Sequence, residues 1–208
     1  MRRLPFALAC LLVAADARAQ SMRQRFPVSA PTAWVTGGVG SQDGWTVVDG
    51  KTGSQWQFGN STQYAASLEK SVSNGISLGL RGTTATVPMT YSGLGGTSDA
   101  DVKVSQAFAT LHAASPGQFH TVLEFSAGAT IYSNFKTRGA GTTLPPDSPD
   151  SDFSYAYGYG AGYALSSTFA LDVVRESNSS VHQSVGLAAG TDTKSRWNVT
   201  RVVVRVGF

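Results

Sequence analysis

The tetrapeptide Val181-His182-Gln183-Ser184 places a potential base two residues before a potential nucleophile. A histidine held in one tautomer can take the proton of a serine hydroxyl, which then attacks an acyl carbon. The arrangement also needs an acid that orients the histidine. The region after Ser184 contains Asp192 but no glutamate, and Arg196 stands where an acid would be wanted. The sequence therefore favours a loop histidine beside a loop serine over a catalytic pair.

A second set of chemically active residues consists of charges placed singly in segments that alternate with a period of two. They are Glu69, Arg81, Glu124, Asp172, Arg201 and Arg205, with Glu176 as a further candidate. Charges inside an enclosed space are tolerated when they are paired. Because both signs are present, we expect ion pairs inside a closed structure, with Arg201 and Arg205 paired to carboxylates such as Asp172 and Glu69.

Metal and cofactor sites are not indicated. The acidic stretch of residues 147–152 lacks the glycine-punctuated order of a calcium loop, so a solvated loop is the better interpretation. His112, His120 and His182 are far apart and lack zinc spacing. No glycine-rich loop leads into a helix, so no nucleotide site is expected.

The chain begins with the features of a secretory signal peptide. Two arginines precede an apolar stretch that starts at Leu4, and small residues at Ala17 and Ala19 match a cleavage site. The stretch is shorter than the roughly 20 residues that a membrane-spanning helix needs. We predict that residues 1–19 are a signal peptide and direct export. A lipoprotein site at Cys10 is the weaker alternative.

Cleavage after Ala19 would change the chemistry of the chain. It would remove Cys10, the single cysteine, so the mature chain would contain no disulfide and no thiolate. Residues 1–19 hold three arginines and one aspartate, so the formal charge would fall from +3 to +1. This small positive charge does not support binding to nucleic acid.

The rest of the chain predicts one all-β domain over residues 32–208, preceded by a polar leader at residues 20–31. The period-two pattern predicts eight strands, at residues 32–41, 62–72, 76–90, 101–114, 118–136, 153–165, 168–177 and 197–208. Tight turns at 73–75, 115–117 and 166–167 alternate with longer loops at 42–61, 91–100, 137–152 and 178–196. This order is typical of an up-and-down meander with its long loops at one end.

Alternation assigns an apolar and a polar face to most of these strands. In the last strand the valines from Val202 to Val206 oppose Arg201 and Arg205, and the sixth strand places four tyrosines on one face. The fifth strand puts Phe135 on its apolar face and Asn134 on its polar face. The fourth strand is ambiguous, because a glutamine interrupts its apolar residues. Aromatic rings along an outer face suit the headgroup level of a membrane.

These features together resemble the small eight-stranded outer-membrane β-barrel family over residues 32–208. The resemblance implies an antiparallel up-and-down transmembrane β-barrel with eight strands, short periplasmic turns and longer extracellular loops. It also implies that Phe208 is part of the signal read by the outer-membrane assembly machinery. The chain departs from the pattern just before its end, where no second aromatic residue accompanies Phe208.

The segment around His182 resembles the H-x-S element of the lipid A deacylase barrels. The resemblance implies a histidine base at His182 and a serine nucleophile at Ser184, oriented by a downstream glutamate. That glutamate is absent here.

We therefore expect a non-enzymatic integral outer-membrane protein with a structural or surface-contact role through its extracellular loops. Its expected partners are outer-membrane lipid, lipopolysaccharide and the assembly machinery, and the sequence does not identify an extracellular partner. Two alternatives remain at this point. One is a lipid A-modifying barrel enzyme using His182 and Ser184, and the other is a soluble lipocalin-like binder with its aromatic faces turned inward.

Overall fold

The computed structural model describes residues 30–49, 52–93, 96–138, 149–182 and 194–208. The predicted signal peptide and most of the predicted leader lie outside the described residues. Ten strands are formed: β1 (Ala33–Gln42), β2 (Trp45–Val48), β3 (Gln55–Phe58), β4 (Ser61–Ser73), β5 (Ile76–Gly93), β6 (Gly96–Ala114), β7 (Phe119–Thr137), β8 (Asp150–Ser166), β9 (Phe169–Val181) and β10 (Lys194–Gly207). Within these described ranges, no helix is long and apolar enough to cross a membrane.

The wall of the molecule is a closed antiparallel barrel. Each strand from β4 to β10 pairs with the next, and β1 pairs with both β4 and β10. Trp34 of β1, for example, lies opposite Glu69 on one side and Gly207 on the other. Closure gives each of these eight strands a partner on both sides, unlike the edge strands of an open sheet. The predicted eight-stranded up-and-down barrel is confirmed.

Strands β2 and β3 extend this wall where the sequence predicted a long loop at 42–61, so that loop prediction is wrong. After a short interruption β1 is followed by β2, and β3 is followed by β4 in the same way. β3 pairs with β2 and with the upper end of β5, where Phe58 lies opposite Met89. Each of these strands has only four residues. Strands this short, in a segment rich in turn residues, give little periodic signal.

The prediction of a long loop at 91–100 is also wrong. β5 and β6 remain paired as far as Gly93, which lies opposite Gly96. The serines, threonines and aspartates of this segment resemble a loop in composition. Their backbone groups nevertheless continue the ladder, so the two strands form a long hairpin that rises above most of the wall.

Outward and inward faces follow the predicted alternation over most of the barrel. Leu68, Leu80, Leu123 and Val204 are exposed on the outside, whereas Arg201 and other polar residues are buried inside. Phe135 is an exception and corrects the prediction for the upper end of β7. The register between β6 and β7 shifts there, and Asn134 adopts a positive φ of 55°. This β-bulge turns Phe135 inward and Asn134 outward, because the extra residue reverses the alternation.

Candidate functional site

The centre of the barrel interior is a cluster of four charges from four strands, which we call the charged ring: Arg81, Glu124, Glu176 and Arg201. Arg81 donates to Glu124 Oε2 at 2.8 Å and to Glu176 Oε2 at 2.5 Å. Arg201 contacts Glu176 Oε2 at 3.0 Å and also contacts Glu124. All four side chains are buried. Each arginine therefore bridges both carboxylates, and the ring is electrically neutral.

Below the ring, towards the tight turns, Arg205 lies between two carboxylates. Its Nη2 is 2.9 Å from Glu69 Oε2, and its Nε is 3.8 Å from Asp172 Oδ2. Asp172 also contacts His120 Nε2 at 2.9 Å. The structure thus brings Arg205 to Glu69, as expected. It places Asp172 beside Arg205 and His120, whereas Arg201 is paired within the ring.

Sequence reasoning missed the roles of His112 and His120. His112 Nδ1 lies 3.1 Å from Glu124 Oε1, so this histidine joins the charged ring from β6. Their spacing in the sequence indicated only that they do not form a zinc site. Alternation along the strand could have predicted that His120 points inward, because it shares the inward face of β7 with Glu124.

Small residues create the room for these charges. A Cβ on Gly162 would lie 1.9 Å from Asp172 Oδ1 and 2.3 Å from His120 Nε2. Only glycine leaves the space that the His120–Asp172 pair occupies. The alternate glycines and alanines inside β8 thus accommodate long side chains that come from β7 and β9.

Above the ring, side-chain amides cross the interior. Gln63 donates to Gln42 at 3.1 Å and to Gln106 at 3.3 Å, and Gln106 donates to Asn178 at 3.1 Å. These groups link β1, β4, β6 and β9. A cavity beside the charged ring measures only about 10 Å³, roughly the space of one water molecule. As the described residues form it, the centre of the barrel is therefore a packed polar core.

The upper interior is apolar instead, and we call it the upper core. Trp45 stacks on Phe58 at a centroid distance of 4.4 Å and on Trp197 at 4.8 Å. The other members are buried around them: Val47, Trp56, Ala85, Val87, Met89, Ala100, Val102, Val104, Tyr132, Phe135 and Val199. The inward faces of β2 and β3 supply four of these side chains. This core joins the wall extension to the rest of the barrel.

His182 lies at the top of the interior, beside the upper core. Its Nε2 is 3.1 Å from Ser195 Oγ, and its Nδ1 contacts Asp152 Oδ2. These residues come from the loop ends of three adjacent strands, β8, β9 and β10, with His182 directly after β9. Ser184 and Asp192 lie outside the described residues. Among the described residues, the carboxylate that contacts His182 is Asp152, which precedes it in the chain.

No group of histidine and carboxylate side chains suited to hold a metal ion is found among the described residues. Asp152, which belongs to the acidic stretch considered for calcium, points into the barrel at His182. Asp147 of the same stretch lies outside the described residues.

The outer surface carries basic residues above its apolar belt. Lys194 and Arg196 are exposed at the loop end of β10, and Lys194 Nζ lies 4.8 Å from the centre of the Tyr155 ring. Arg175 follows Val173 on the outward face of β9 and donates to Asp43 at 2.5 Å. On the far wall, Lys103 and Lys136 are also exposed. We call these five cations the basic rim.

An eight-stranded antiparallel barrel that is apolar outside and polar at its centre has the fold of the small outer-membrane β-barrels. The solved structures similar to it include two outer-membrane proteins. Neisserial surface protein A (NspA) is 15% identical with a TM-score of 0.57, over 87% of this chain and 100% of that one. The outer membrane protein OprG from Pseudomonas aeruginosa is 15% identical with a TM-score of 0.55, over 86% of this chain and 94% of that one. No protein-family model and no curated protein matches the chain.

Proposed function

We propose that this chain is an integral outer-membrane protein without channel activity, whose rigid barrel holds a surface-contact region at the outer face of the membrane. The observation that carries the proposal is the continuous belt of exposed apolar side chains around a closed barrel with a polar interior. In water such a belt would be a large exposed apolar patch, which soluble monomers avoid. In a bilayer it is the expected outer surface.

The interior argues against a pore. The charged ring and the amides above it cross the barrel centre, and the upper core adds a second packed layer. Eight strands enclose a space that side chains can fill. A protein of this kind acts through its surface, because solutes have no path through its centre.

The basic rim supports contact with phosphate groups of lipopolysaccharide at the outer leaflet. Lys194, Arg196 and Arg175 lie just above the apolar belt on adjacent strands. A lipid phosphate at this height would meet several cations at once, and attraction of this kind is worth about 1 kcal/mol per cation near the surface. Lipopolysaccharide is therefore the proposed lipid partner.

Location is tested by fractionation and gel mobility. We expect the protein in purified outer membranes, with a folded band that migrates differently from the heated one. Recovery in the soluble periplasm would contradict the proposal.

Lipid contact is tested with vesicles that contain either phosphorylated or phosphate-free lipid A. Replacing Lys194 and Arg196 together with alanine should weaken binding to the phosphorylated vesicles by about fivefold per cation. Lys70→Ala is the matched control, because Lys70 is exposed near the tight-turn end. Equal binding to the two kinds of vesicle would rule out phosphate recognition.

A further inference from the structure

Asp152, His182 and Ser195 form an ordered line of acid, imidazole and hydroxyl, which the proposed surface function does not use. Their exposed fractions are 1%, 1% and 2%. His182 Nε2 lies 3.1 Å from Ser195 Oγ, while Nδ1 contacts Asp152 without the alignment of a hydrogen bond. Serine hydrolases use this order, because the acid fixes the imidazole while the far ring nitrogen takes the serine proton. Contacts of this kind are often poorly aligned before substrate binds.

Buried polar groups commonly pair only to satisfy one another, so the surroundings decide what this line of residues can do. Three buried N–H donors of the upper interior have no hydrogen-bond partner among the described residues: Gln42 Nε2, Trp45 Nε1 and Trp197 Nε1. The Tyr132 hydroxyl instead interacts with Ser180 and Ser195. Buried donors without partners are uncommon. A carbonyl oxygen, or the oxyanion that forms from it, is the kind of acceptor they lack.

Ring contacts connect these donors to the histidine. The Tyr132 ring lies 6.0 Å from the His182 ring and 5.8 Å from the Phe58 ring. Phe58 stacks on Trp45, which stacks on Trp197. Trp197 also lies two residues from Ser195 on the inward face of β10. The three reactive residues therefore adjoin an aromatic cluster that carries the unpaired N–H groups of Trp45 and Trp197.

We propose that Asp152, His182 and Ser195 form a serine acyl-hydrolase site at the loop end of the barrel, which acts on esters with an apolar acyl chain. Ser195 is the nucleophile and His182 the general base, and Asp152 is a positioning residue. The aromatic wall selects the apolar acyl chain. The proposed nucleophile is thus Ser195, from the strand after His182.

The reaction is balanced with water as the second substrate. Ser195 Oγ bonds to the ester carbonyl carbon while its proton passes to His182 Nε2. The intermediate collapses, the carbon–alkoxy bond breaks, and the leaving alcohol takes that proton. Water then attacks the acyl-serine, with His182 again accepting and returning a proton. The products are the alcohol, the carboxylic acid and free Ser195.

A fluorophosphonate probe tests the nucleophile on the folded barrel in detergent, with the modified residue located by mass spectrometry. We expect labelling at Ser195 and a decrease of about a hundredfold or more in the labelling rate of His182→Gln, the range that a general base contributes. Ser126→Ala is the matched control. Ser126 is a buried serine of β7 that is hydrogen-bonded to Thr110 at 3.0 Å and does not contact Asp152, His182 or Ser195. It should leave labelling unchanged.

A folded barrel that is not labelled at Ser195 would overturn the proposal. Labelling that does not change in His182→Gln would do so as well. Folding of each variant is checked by its heat-modifiable mobility, so that loss of reactivity is separated from loss of structure.

A second measurement does not depend on the His182 variant folding. Ser195→Cys in a chain that lacks residues 1–19 has a single thiol, because Cys10 is the only natural cysteine. If His182 activates this position, the rate of reaction with iodoacetamide should reach half its maximum at a pH well below the ordinary thiol pKa of about 8.5. Asp152→Asn in the same background should move that midpoint upward. Ser126→Cys should titrate as an ordinary or unreactive thiol. An ordinary midpoint in Ser195→Cys, or no reaction at all, would contradict the proposal.

Discussion

The lower and upper halves of the barrel interior are equally buried but are held together in different ways. The charged ring and the Arg205 pairs consist of a few groups, each bonded to specific atoms on other strands. The upper core consists of many apolar side chains whose contacts have no required direction. Burial by itself therefore does not say how a residue stabilises this protein.

The charged ring and the upper core should therefore tolerate different kinds of amino-acid substitution. Removing one member of a buried ion pair leaves its partner charged and poorly solvated, which is far worse than removing both. An apolar core tolerates exchange of one hydrophobic side chain for another of similar volume. The predictions below test this contrast and start from the largest expected effect.

The largest loss is expected from Arg201→Met. This change leaves Glu124 and Glu176 with only Arg81 and His112 nearby, and breaking a buried pair costs about 3–5 kcal/mol. Urea unfolding of the barrel in lipid vesicles measures it. The double variant Arg201→Met with Glu176→Gln should lose much less, because it restores neutrality. Additive losses in the double variant would show that the two residues are not coupled.

A smaller but substantial loss is expected from a charge on the outer belt. Leu123→Arg should destabilise the barrel by about 2–4 kcal/mol if that position lies near the bilayer midplane, and by much less near the interface. Ser133→Arg is the matched control, since Ser133 lies on the same outward face of β7 beyond Ile131. Equal stabilities of the two variants would mean that the belt does not meet lipid.

The upper core should respond only weakly to a change that conserves volume. Met89→Leu should cost less than about 1.5 kcal/mol, because the new side chain fills nearly the same space. Arg201→Lys is the matching conservative change in the charged ring, and it should cost more because lysine cannot bridge both carboxylates with a planar fork. A larger loss for Met89→Leu would remove the contrast between the two halves.

The smallest effect on stability is expected at Phe208, whose side chain is 69% exposed. Phe208→Ser keeps the backbone bonds that join residue 208 to Thr32 and Ala33. We expect a clear drop in folded protein in cells and nearly unchanged refolding in detergent, since the proposed role of this residue is recognition by the assembly machinery. Equal yields of the variant and the natural chain in cells would argue against that role.

Much of the barrel could be predicted from local patterns. Val202, Val204 and Val206 alternate with Arg201 and Arg205, and a two-residue period places them on opposite faces of any strand. Tight turns between such segments set the antiparallel order. The inward direction of the lone charges also follows, because an outer face in lipid would not tolerate them.

Other features depend on contacts between distant parts of the chain. The fourth predicted strand was ambiguous because Val102, Val104, Gln106 and Phe108 share one face, and all four turn out to be buried inside. Val102 and Val104 pack in the upper core, to which β2 and β3 contribute Trp45, Trp56 and Phe58. Gln106 joins the amides above the ring, and the Arg81 guanidinium lies 5.5 Å from the centre of the Phe108 ring. No local pattern carries that information.

The partners of each charge were likewise decided by the tertiary structure. Alternation determined that Arg201, Glu124 and Glu176 point inward, but only barrel closure and strand register set their heights and brought them into one ring. The same holds for His182. The H-x-S pattern indicated Ser184 as its partner, whereas the described contacts of His182 are with Asp152 and Ser195 on adjacent strands. Residues 30 and 13 positions away meet because antiparallel pairing places the loop ends of β8, β9 and β10 side by side.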